Sequence, residues 1–229
     1  RLEKADIDLL AFHPVNPVNG GNPLDANVRN HRKLMVVDGQ VAFTGGINID
    51  RNYSSSSGLF EKKNRPLPNE GGWRDTHVAI RGPAVEGFQK LFLAHWKQQG
   101  GKRIEETEKY LPQPRVRGRH LVRVLSSEGG DDGVSPIRVA YQYAMEAATE
   151  RIWLTQSYFG PDPELVRTMG EAAKRGVDVR IMLSGVSDAM LMLSLSRSYY
   201  GDMLKAGVRV FDSDDIMLHA KTAVVDRVW

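Results

Sequence analysis

Two segments of the chain carry the same spaced set of polar residues, and this duplication restricts the possible folds more than any other feature. The pattern His-x-Lys-x-x-x-x-Asp occurs at 31–38 and again at 219–226. With 6 His, 11 Lys and 16 Asp among 229 residues, random placement would give roughly 0.02 such patterns. Two copies with identical spacing therefore predict an internal repeat with the same local structure in both halves.

The residues before each motif also repeat. An apolar stretch and a loop separate Leu2–Ala5 from the first motif, and the same order follows Leu204–Gly207 before the second. The loop is long in the first copy and short in the second. The chain ends before any counterpart of Val41–Asn48 has appeared after the second motif. We therefore expect two similar lobes, with the chain truncated at both ends.

The first half is predicted to place motif one on a β-hairpin that precedes a long helix. Asp38-Gly39 between two apolar runs is typical of a tight hairpin turn. Apolar residues recur at helical spacing after Pro83, which suits the first turn of a helix. The predicted segments are a helix end at 1–5, strands at 7–12, 31–38, 41–46 and 76–81, a helix at 83–98, and loops at 13–22 and 54–72.

The second half alternates strands and helices, which is typical of an α/β sheet with helices on its faces. Ser135 before Pro136 and Gly176 after a helical run mark helix ends. The predicted strands are 121–125, 152–156, 179–183, 208–211 and 221–225, with helices after 136, at 164–175 and ending at 207.

A charged, apolar-poor stretch with two prolines near its end separates the halves and is typical of a linker. We therefore expect an α/β protein of two similar lobes, each a mixed β-sheet flanked by helices. The expected division is a first lobe at 1–100, a linker at 101–118 and a second lobe at 119–229.

The histidine and lysine of each motif form the candidate reactive pair. Side chains two residues apart on a strand share a face, whereas the aspartate seven residues on falls on the opposite face. Cleavage of a phosphodiester needs a nucleophile, a proton donor and cations around the phosphoryl oxygens, and two histidines with two lysines supply these without a metal. The expected reactive residues are His31, Lys33, His219 and Lys221, and Asp38 and Asp226 could act in catalysis or equally as salt bridges or turn caps.

The two histidines need different environments. One imidazole must be neutral to attack phosphorus while the other is protonated to release the alcohol, so a carboxylate beside one of them is expected. No His-Glu-x-x-His pattern or acidic cluster with ligand spacing occurs, and neither a metal nor another cofactor is expected.

Composition excludes some function classes and leaves others open. The chain has no cysteine, which excludes disulfides and a cysteine nucleophile, and its net charge of +3 is too small to identify a polyanionic partner. No apolar run approaches the roughly 20 residues that cross a bilayer. The basic residues at 102–119 could meet anionic lipid headgroups, although a solvated charged connection is the commoner arrangement.

The doubled motif resembles the signature of the phospholipase D superfamily, and the resemblance covers nearly the whole chain. It implies that His31 forms a phosphohistidine and that His219 acts first as an acid and then as a base. It also implies that Lys33 and Lys221 bind the phosphate.

Two further residues follow from the same resemblance. Asn48 stands in the family's Gly-Gly-x-Asn context after the first motif, so it should also contact the phosphate, whereas no partner asparagine follows the second motif. A carboxylate that orients the first histidine in related enzymes corresponds to Asp75.

Within the superfamily the chain resembles bacterial cardiolipin synthases. The similar segments are Asn30–Lys33, Trp73–Val78, Gly82–Val85, Arg197–Tyr200 and Leu204–Val208. The resemblance implies transfer of a phosphatidyl group from one phosphatidylglycerol to the glycerol hydroxyl of another, with release of glycerol. It places the protein at the bacterial cell membrane, peripheral or anchored by a segment outside this chain, with a phospholipid substrate and no nucleic acid partner.

Two other functions are left open by the sequence. A phosphodiesterase of the same superfamily could use the same residues to hydrolyse phospholipid or nucleic acid. A non-catalytic lipid-binding member is disfavoured because both motifs keep their histidine and lysine. The oligomeric state is not indicated by the sequence.

Overall fold

The computed structural model describes residues 5–12, 30–53, 72–104, 107–127, 135–214 and 216–229. Apart from residues 5 and 72, the predicted helix end at 1–5 and the loops at 13–22 and 54–72 lie outside the described residues. The chain groups into two compact units. The first unit consists of Arg1–Thr44 with Val78–Gly133, and the second of Gly45–His77 with Val134–Trp229. These units interleave along the sequence, and the predicted division into 1–100, 101–118 and 119–229 stays a prediction.

The first unit is built on a three-stranded sheet in the order β1-β2-β3. Its strands are β1 (Leu34–Val37), β2 (Val41–Gly45) and β3 (His77–Arg81). β1 and β2 are antiparallel, with Val37 opposite Val41. Between them Asp38 and Gly39 have φ angles of 52° and 61°, the left-handed conformations that a tight hairpin turn takes at its central residues. The predicted hairpin is therefore confirmed.

One helix packs on this sheet. Helix α1 (Ala84–Gln98) follows Pro83, which confirms the predicted helix. Val85 is fully buried, but Phe92 is 46% exposed and stacks on Trp96 with ring centroids 6.1 Å apart. The buried face of the helix is therefore narrower than its apolar pattern predicted.

The second unit is a four-stranded mixed sheet in the order β6-β5-β4-β7 with helices beside it. Its strands are β4 (Arg151–Gln156), β5 (Asp178–Ser184), β6 (Arg209–Ser213) and β7 (Thr222–Val225). Its helices are α2 (Pro136–Ala147), α3 (Pro163–Lys174), α4 (Met190–Ser198) and α5 (Tyr200–Lys205). β4, β5 and β6 run parallel, and β7 is antiparallel to β4. This mixed α/β arrangement confirms the predicted fold class.

The core of the second unit lies between the helices and one face of the sheet. Alternate residues of the central strands point into it, among them Ile152, Ile181 and Leu183, each at most 1% exposed. Met169 of α3 and Met203 of α5 close the core with no exposed surface. Period-two burial on strands beside helices is the pattern expected when a sheet is covered on that face.

Two predicted strands are absent from the described residues, at 7–12 and 121–125. Val124 lies against α1, where a Cβ built on Gly87 would come within 3.0 Å of its side chain. Val124 therefore packs against a helix, and residues 121–125 pair with no strand among the described residues. Ile7 and Leu9 are 47% and 49% exposed, so no sheet face buries the other segment.

Within the described ranges, no helix combines the length and the apolar character needed to cross a bilayer.

Candidate active site

Both motifs have the same local structure. The histidine and lysine of each lie just before a strand, β1 or β7, so the prediction that they stand on the strands themselves is wrong by a few residues. In each copy the lysine ammonium donates to the carbonyl of the histidine two residues earlier, with Nζ···O distances of 2.8 Å for Lys33 and 2.6 Å for Lys221. The aspartates that close the motifs, Asp38 and Asp226, both take left-handed φ angles of 52° and 48°. The internal repeat is therefore real at the level of backbone conformation.

A backbone bridge brings a carboxylate to the second histidine. Arg74 N–H donates to Met217 O at 2.9 Å, and His219 N–H donates to Arg74 O at 2.7 Å. These bonds form a parallel bridge between Arg74 and Leu218. The next residue, Asp75, therefore faces the imidazole of His219.

Asp75 and His219 form a buried pair. Asp75 Oδ2 lies 2.7 Å from His219 Nδ1, and the two side chains are only 1% and 9% exposed. A second oxygen of the carboxylate accepts from Thr76 N–H at 2.7 Å. The resemblance assigned Asp75 to the histidine of the first motif, but the histidine it contacts is that of the second. The assignment to His31 is thus corrected, because the Arg74 bridge fixes the carboxylate beside motif two.

The pairing fixes which imidazole nitrogen is available for chemistry. An ionised carboxylate can only accept hydrogen bonds, so Nδ1 of His219 carries the proton that it donates to Asp75. Nε2 is then the nitrogen that can hold or give up a proton. This arrangement suits an acid–base residue whose orientation is set by its neighbour.

Two consecutive glycines make room for the carboxylate. A Cβ on Gly46 would overlap both carboxylate oxygens of Asp75, and a Cβ on Gly45 would collide with the carbonyl oxygen of Thr76. Gly46 N–H also donates to Thr76 O at 3.0 Å. The two glycines, which the sequence analysis used only as the context of Asn48, are therefore required by packing, Gly46 against Asp75 and Gly45 against Thr76.

Tyr53 is a second contact of the His219 imidazole that the sequence did not indicate. Its hydroxyl lies 2.9 Å from His219 Nδ1 and 3.4 Å from Gly46 O. Burial, followed by the negative charge of Asp75, raises the pKa of Tyr53 to about 12. The phenol therefore keeps its proton at neutral pH. Asn48 Nδ2 donates to the same hydroxyl at 3.3 Å, so the residue expected at the phosphate contacts Tyr53, and its phosphate contact stays a prediction.

Aromatic rings surround the imidazole of His219. The ring centroids of Trp73, Tyr53 and Tyr158 lie 5.2, 5.8 and 5.8 Å from it. Tyr158 donates to Asp188 at 2.6 Å, and burial, followed by this hydrogen bond, raises the pKa of the phenol. These rings restrict imidazole rotation and water access, and ring faces attract a cation. Their only sequence signals were Trp73 beside Asp75 and Tyr158 just after a strand.

The second lysine lies at the edge of the same group. Lys221 Nζ is 5.6 Å from the ring centroid of Tyr158. Its short bond to the carbonyl of His219 holds the ammonium close to the histidine. The ammonium of Lys221 and the carboxylate of Asp75 therefore lie near His219 within a largely aromatic wall.

Asp226 has a clear structural environment. Its carboxylate accepts from Thr149 N–H and hydroxyl at 2.7 and 3.0 Å, and from Glu150 and Arg151 N–H at 2.8 Å each. These backbone hydrogen bonds, that from Arg151 first, hold the pKa of Asp226 well below its usual range. The contacts fasten the end of β7 to the start of β4, which favours the supporting role over the catalytic one.

The predicted site residues divide between the two units. Asp75, Asn48, His219, Lys221 and Asp226 belong to the second unit, and His31, Lys33 and Asp38 belong to the first. A single site that combines both motifs stays a prediction. Among the described residues, no group of three or more His, Asp or Glu side chains could hold a metal ion.

Comparison with known proteins gives consistent matches. A family model described as "Cardiolipin synthase, PLD-like domain" matches residues 142–229. The cardiolipin synthase of Geobacillus thermodenitrificans is 34% identical over 98% of this chain and 42% of its own length. Cardiolipin synthase 2 of Bacillus anthracis is 33% identical over 98% of this chain and 41% of its own length. The chain thus spans about two fifths of these curated relatives.

The similarity to solved structures is weaker than the similarity to these curated sequences. A crystal structure of a phospholipase D family member, Nuc from Salmonella typhimurium, covers 39% of this chain and 57% of that one, with 22% identity and a TM-score of 0.32. That likeness is too low to support an argument about this chain.

Proposed function

We propose that this chain catalyses the formation of cardiolipin. It belongs to the phospholipase D superfamily and is similar to bacterial cardiolipin synthases over 98% of its length. The reaction joins two phosphatidylglycerol molecules and releases glycerol. The observation that carries the proposal is the buried pair of Asp75 and His219, with Nδ1 and Oδ2 2.7 Å apart. An imidazole held in this way by a buried carboxylate is equipped for proton transfer.

The first step breaks the bond between phosphorus and the glycerol headgroup. Nε2 of His31 attacks phosphorus and forms a phosphohistidine, while His219 gives its Nε2 proton to the departing glycerol oxygen. Lys33 and Lys221 bind the phosphoryl oxygens and stabilise the charge that develops on them. Asp75 holds the imidazole of His219 through Nδ1, 2.7 Å from Oδ2, and so fixes the direction in which Nε2 points.

The second step reverses the roles. His219, now neutral, takes the proton from the glycerol hydroxyl of a second phosphatidylglycerol. The alkoxide oxygen attacks phosphorus, the bond to His31 breaks, and cardiolipin leaves. His219 is protonated again at the end of this step, so the cycle returns to its starting state.

The remaining predicted residues receive supporting roles. Asp226 anchors β7, and the position of Asp38 in the first hairpin is equivalent. Asn48 acts on the phosphate directly or through its hydrogen bond to Tyr53, and Tyr53 helps to orient the imidazole of His219. No metal or other cofactor takes part in these steps.

The substrate places the protein at the bacterial cell membrane, peripheral or held by a segment outside this chain. Phosphatidylglycerol is the proposed donor and acceptor, and nucleic acid is not a proposed partner. The choice between an alcohol and water as acceptor separates this proposal from its alternative, a phospholipase D-type phosphodiesterase. The aromatic rings of Trp73, Tyr53 and Tyr158 favour the transferase because they limit the access of water to His219.

The test is a product assay with phosphatidylglycerol and the full-length protein. Wild type should yield cardiolipin and glycerol in equal amounts, His31→Ala should yield neither, and His219→Ala should yield both at a strongly reduced rate. Phosphatidic acid in place of cardiolipin would support the hydrolase, and salt-sensitive DNA cleavage would support a nuclease. Acid-labile phosphate trapped on wild type but not on His31→Ala would identify the nucleophile, and its absence from both would contradict the covalent route.

A further inference from the structure

A cleft in the first unit is lined by three arginines. Arg81 ends β3, and Arg115 and Arg117 follow each other at two-residue spacing further along the chain. The cleft has a volume of about 380 Å³. All three side chains are exposed, and no hydrogen bond or ion pair joins them to other residues in the described part of the chain. No carboxylate among the described residues lines the cleft, so its positive charge is uncompensated there.

The backbone that carries two of these arginines is fitted closely to the rest of the unit. The ring of Pro112 lies 2.5 Å from the place that a Cβ would take on Gly39. The backbone nitrogen of Arg117 lies 3.4 Å from the corresponding place on Gly82. Both glycines have left-handed φ angles, 61° and 107°, which other residues rarely adopt. The arginines therefore stand on a segment docked against the hairpin turn and the start of α1, whereas the sequence favoured a solvated connection.

Exposed aliphatic side chains lie along the same stretch of chain. Val116, between the two arginines, is 79% exposed, and Leu121 and Val122 are 102% and 45% exposed. A surface that binds a free phosphate or a nucleic acid needs the cations alone. Cations beside exposed aliphatic groups match a bilayer interface, where the charges meet phosphates and the apolar groups enter the headgroup boundary.

We propose that this cationic cleft and the exposed aliphatic residues on the same stretch of chain are a docking surface for the anionic headgroups of a phospholipid bilayer. The cleft uses none of the residues of the candidate active site. The identity of the occupant as a lipid rests on the proposed function, since an enzyme that acts on phosphatidylglycerol has to meet a membrane. The charge and the exposure of the cleft do not depend on the proposed function.

The expected size of the effect follows from the number of charges. One Lys or Arg close to an anionic membrane surface strengthens binding about fivefold, so three together give about 100-fold. Removing one fully exposed leucine that enters the interface should weaken binding by about 10-fold. The electrostatic part should shrink as salt is raised, because exposed charges are screened.

The test measures binding of the 229-residue chain to vesicles by co-sedimentation. Vesicles of phosphatidylcholine with phosphatidylglycerol are compared with vesicles of phosphatidylcholine alone. The test variant carries Arg81→Gln, Arg115→Gln and Arg117→Gln. The control carries Lys97→Gln, Lys174→Gln and Lys205→Gln, which remove the same net charge from exposed helical positions.

The proposal requires that the affinity of the arginine variant for the anionic vesicles fall about 100-fold. The affinity of the control variant should fall less than about fivefold. A variant with lysine at the three arginine positions should bind as wild type does, and thermal melts verify that each variant is folded. Equal loss in the control, or unchanged binding of the arginine variant, would overturn the proposal.

Two further arms separate the possible occupants and the two proposals. Leu121→Ser should weaken vesicle binding. If this variant binds vesicles as wild type does, and inorganic phosphate displaces the protein from them, the cleft would be reassigned to a soluble phosphate. His219→Ala should bind vesicles as wild type does. Wild-type protein that binds the vesicles but forms no cardiolipin from phosphatidylglycerol would count against the proposed reaction and leave the docking surface standing.

Discussion

Replacing Asp75 with asparagine removes one negative charge from a buried pair and keeps the size of the side chain. The carboxylate lies 2.7 Å from Nδ1 of His219, and a hydrogen bond to a charged group contributes about 1.5–3 kcal/mol. An asparagine amide can also donate to Nδ1, which would move the imidazole proton to Nε2 and leave the protonated form without its counter-charge. For the proposed formation of cardiolipin we therefore expect kcat to fall roughly 10- to 150-fold with little change in KM.

The assay is steady-state conversion of phosphatidylglycerol in mixed micelles, with cardiolipin measured by mass spectrometry. Asp202→Asn is the matched control, because it makes the same change at a carboxylate that is 71% exposed. A double variant with His219→Ala provides the sharper test. Once the proposed acid–base residue His219 is replaced, Asp75→Asn should lower kcat no further, so a multiplicative loss in the double variant would refute the coupling of Asp75 to His219.

Three further substitutions, at Gly46, Tyr53 and Asp226, each carry a prediction. Gly46→Ala places a methyl group on the carboxylate oxygens of Asp75, so kcat should fall at least as far as in Asp75→Asn, whereas Gly201→Ala, with nothing within 4 Å of the new methyl, should match wild type. Tyr53→Phe removes one neutral hydrogen bond to His219 and should lower kcat by about 3- to 10-fold; because the pKa of Tyr53 is about 12, the pH–rate profile of wild type should show no tyrosine limb below about pH 11. Asp226→Asn should lower the melting temperature at pH 7. The depressed pKa of this carboxylate gives stability that is lost as pH falls below the ordinary aspartate value of about 4, so the two melting curves should converge in acid. A loss of kcat in a variant of unchanged melting temperature would instead assign Asp226 to catalysis.

The elements with strong local signals were predictable from the sequence. The Asp38-Gly39 turn has conformational requirements that few residue pairs meet, and it marked the first hairpin correctly. Ser135 and Pro136 likewise mark the start of α2, where the serine hydroxyl accepts from Arg138 N–H. Such signals involve neighbours in the chain, so they survive whatever the tertiary structure does.

The elements that the sequence predicted wrongly, or did not predict, depend on contacts that are distant along the chain. Residues 121–125 are as apolar as many strands, but an apolar pattern does not say whether the surface that buries it is a sheet or a helix. Here the neighbour is α1, and Gly87 allows Val124 to approach it closely. The aromatic residues around His219 escaped notice for a related reason, because isolated aromatic residues are far more often part of an ordinary core.

The histidine that contacts Asp75 could not be predicted from the order of residues along the chain. Sequence resemblance identified Asp75 as the carboxylate that orients the first histidine, His31. Asp75 instead contacts His219, 144 residues away, because two backbone hydrogen bonds at Arg74 bring the two residues together. No sequence pattern indicates such backbone hydrogen bonds. The residues at 45–77 follow motif one in the chain but belong to the compact unit of motif two. Substitutions at Gly46, Tyr53 or Asp75 should therefore act through His219, although all three lie closer in sequence to His31.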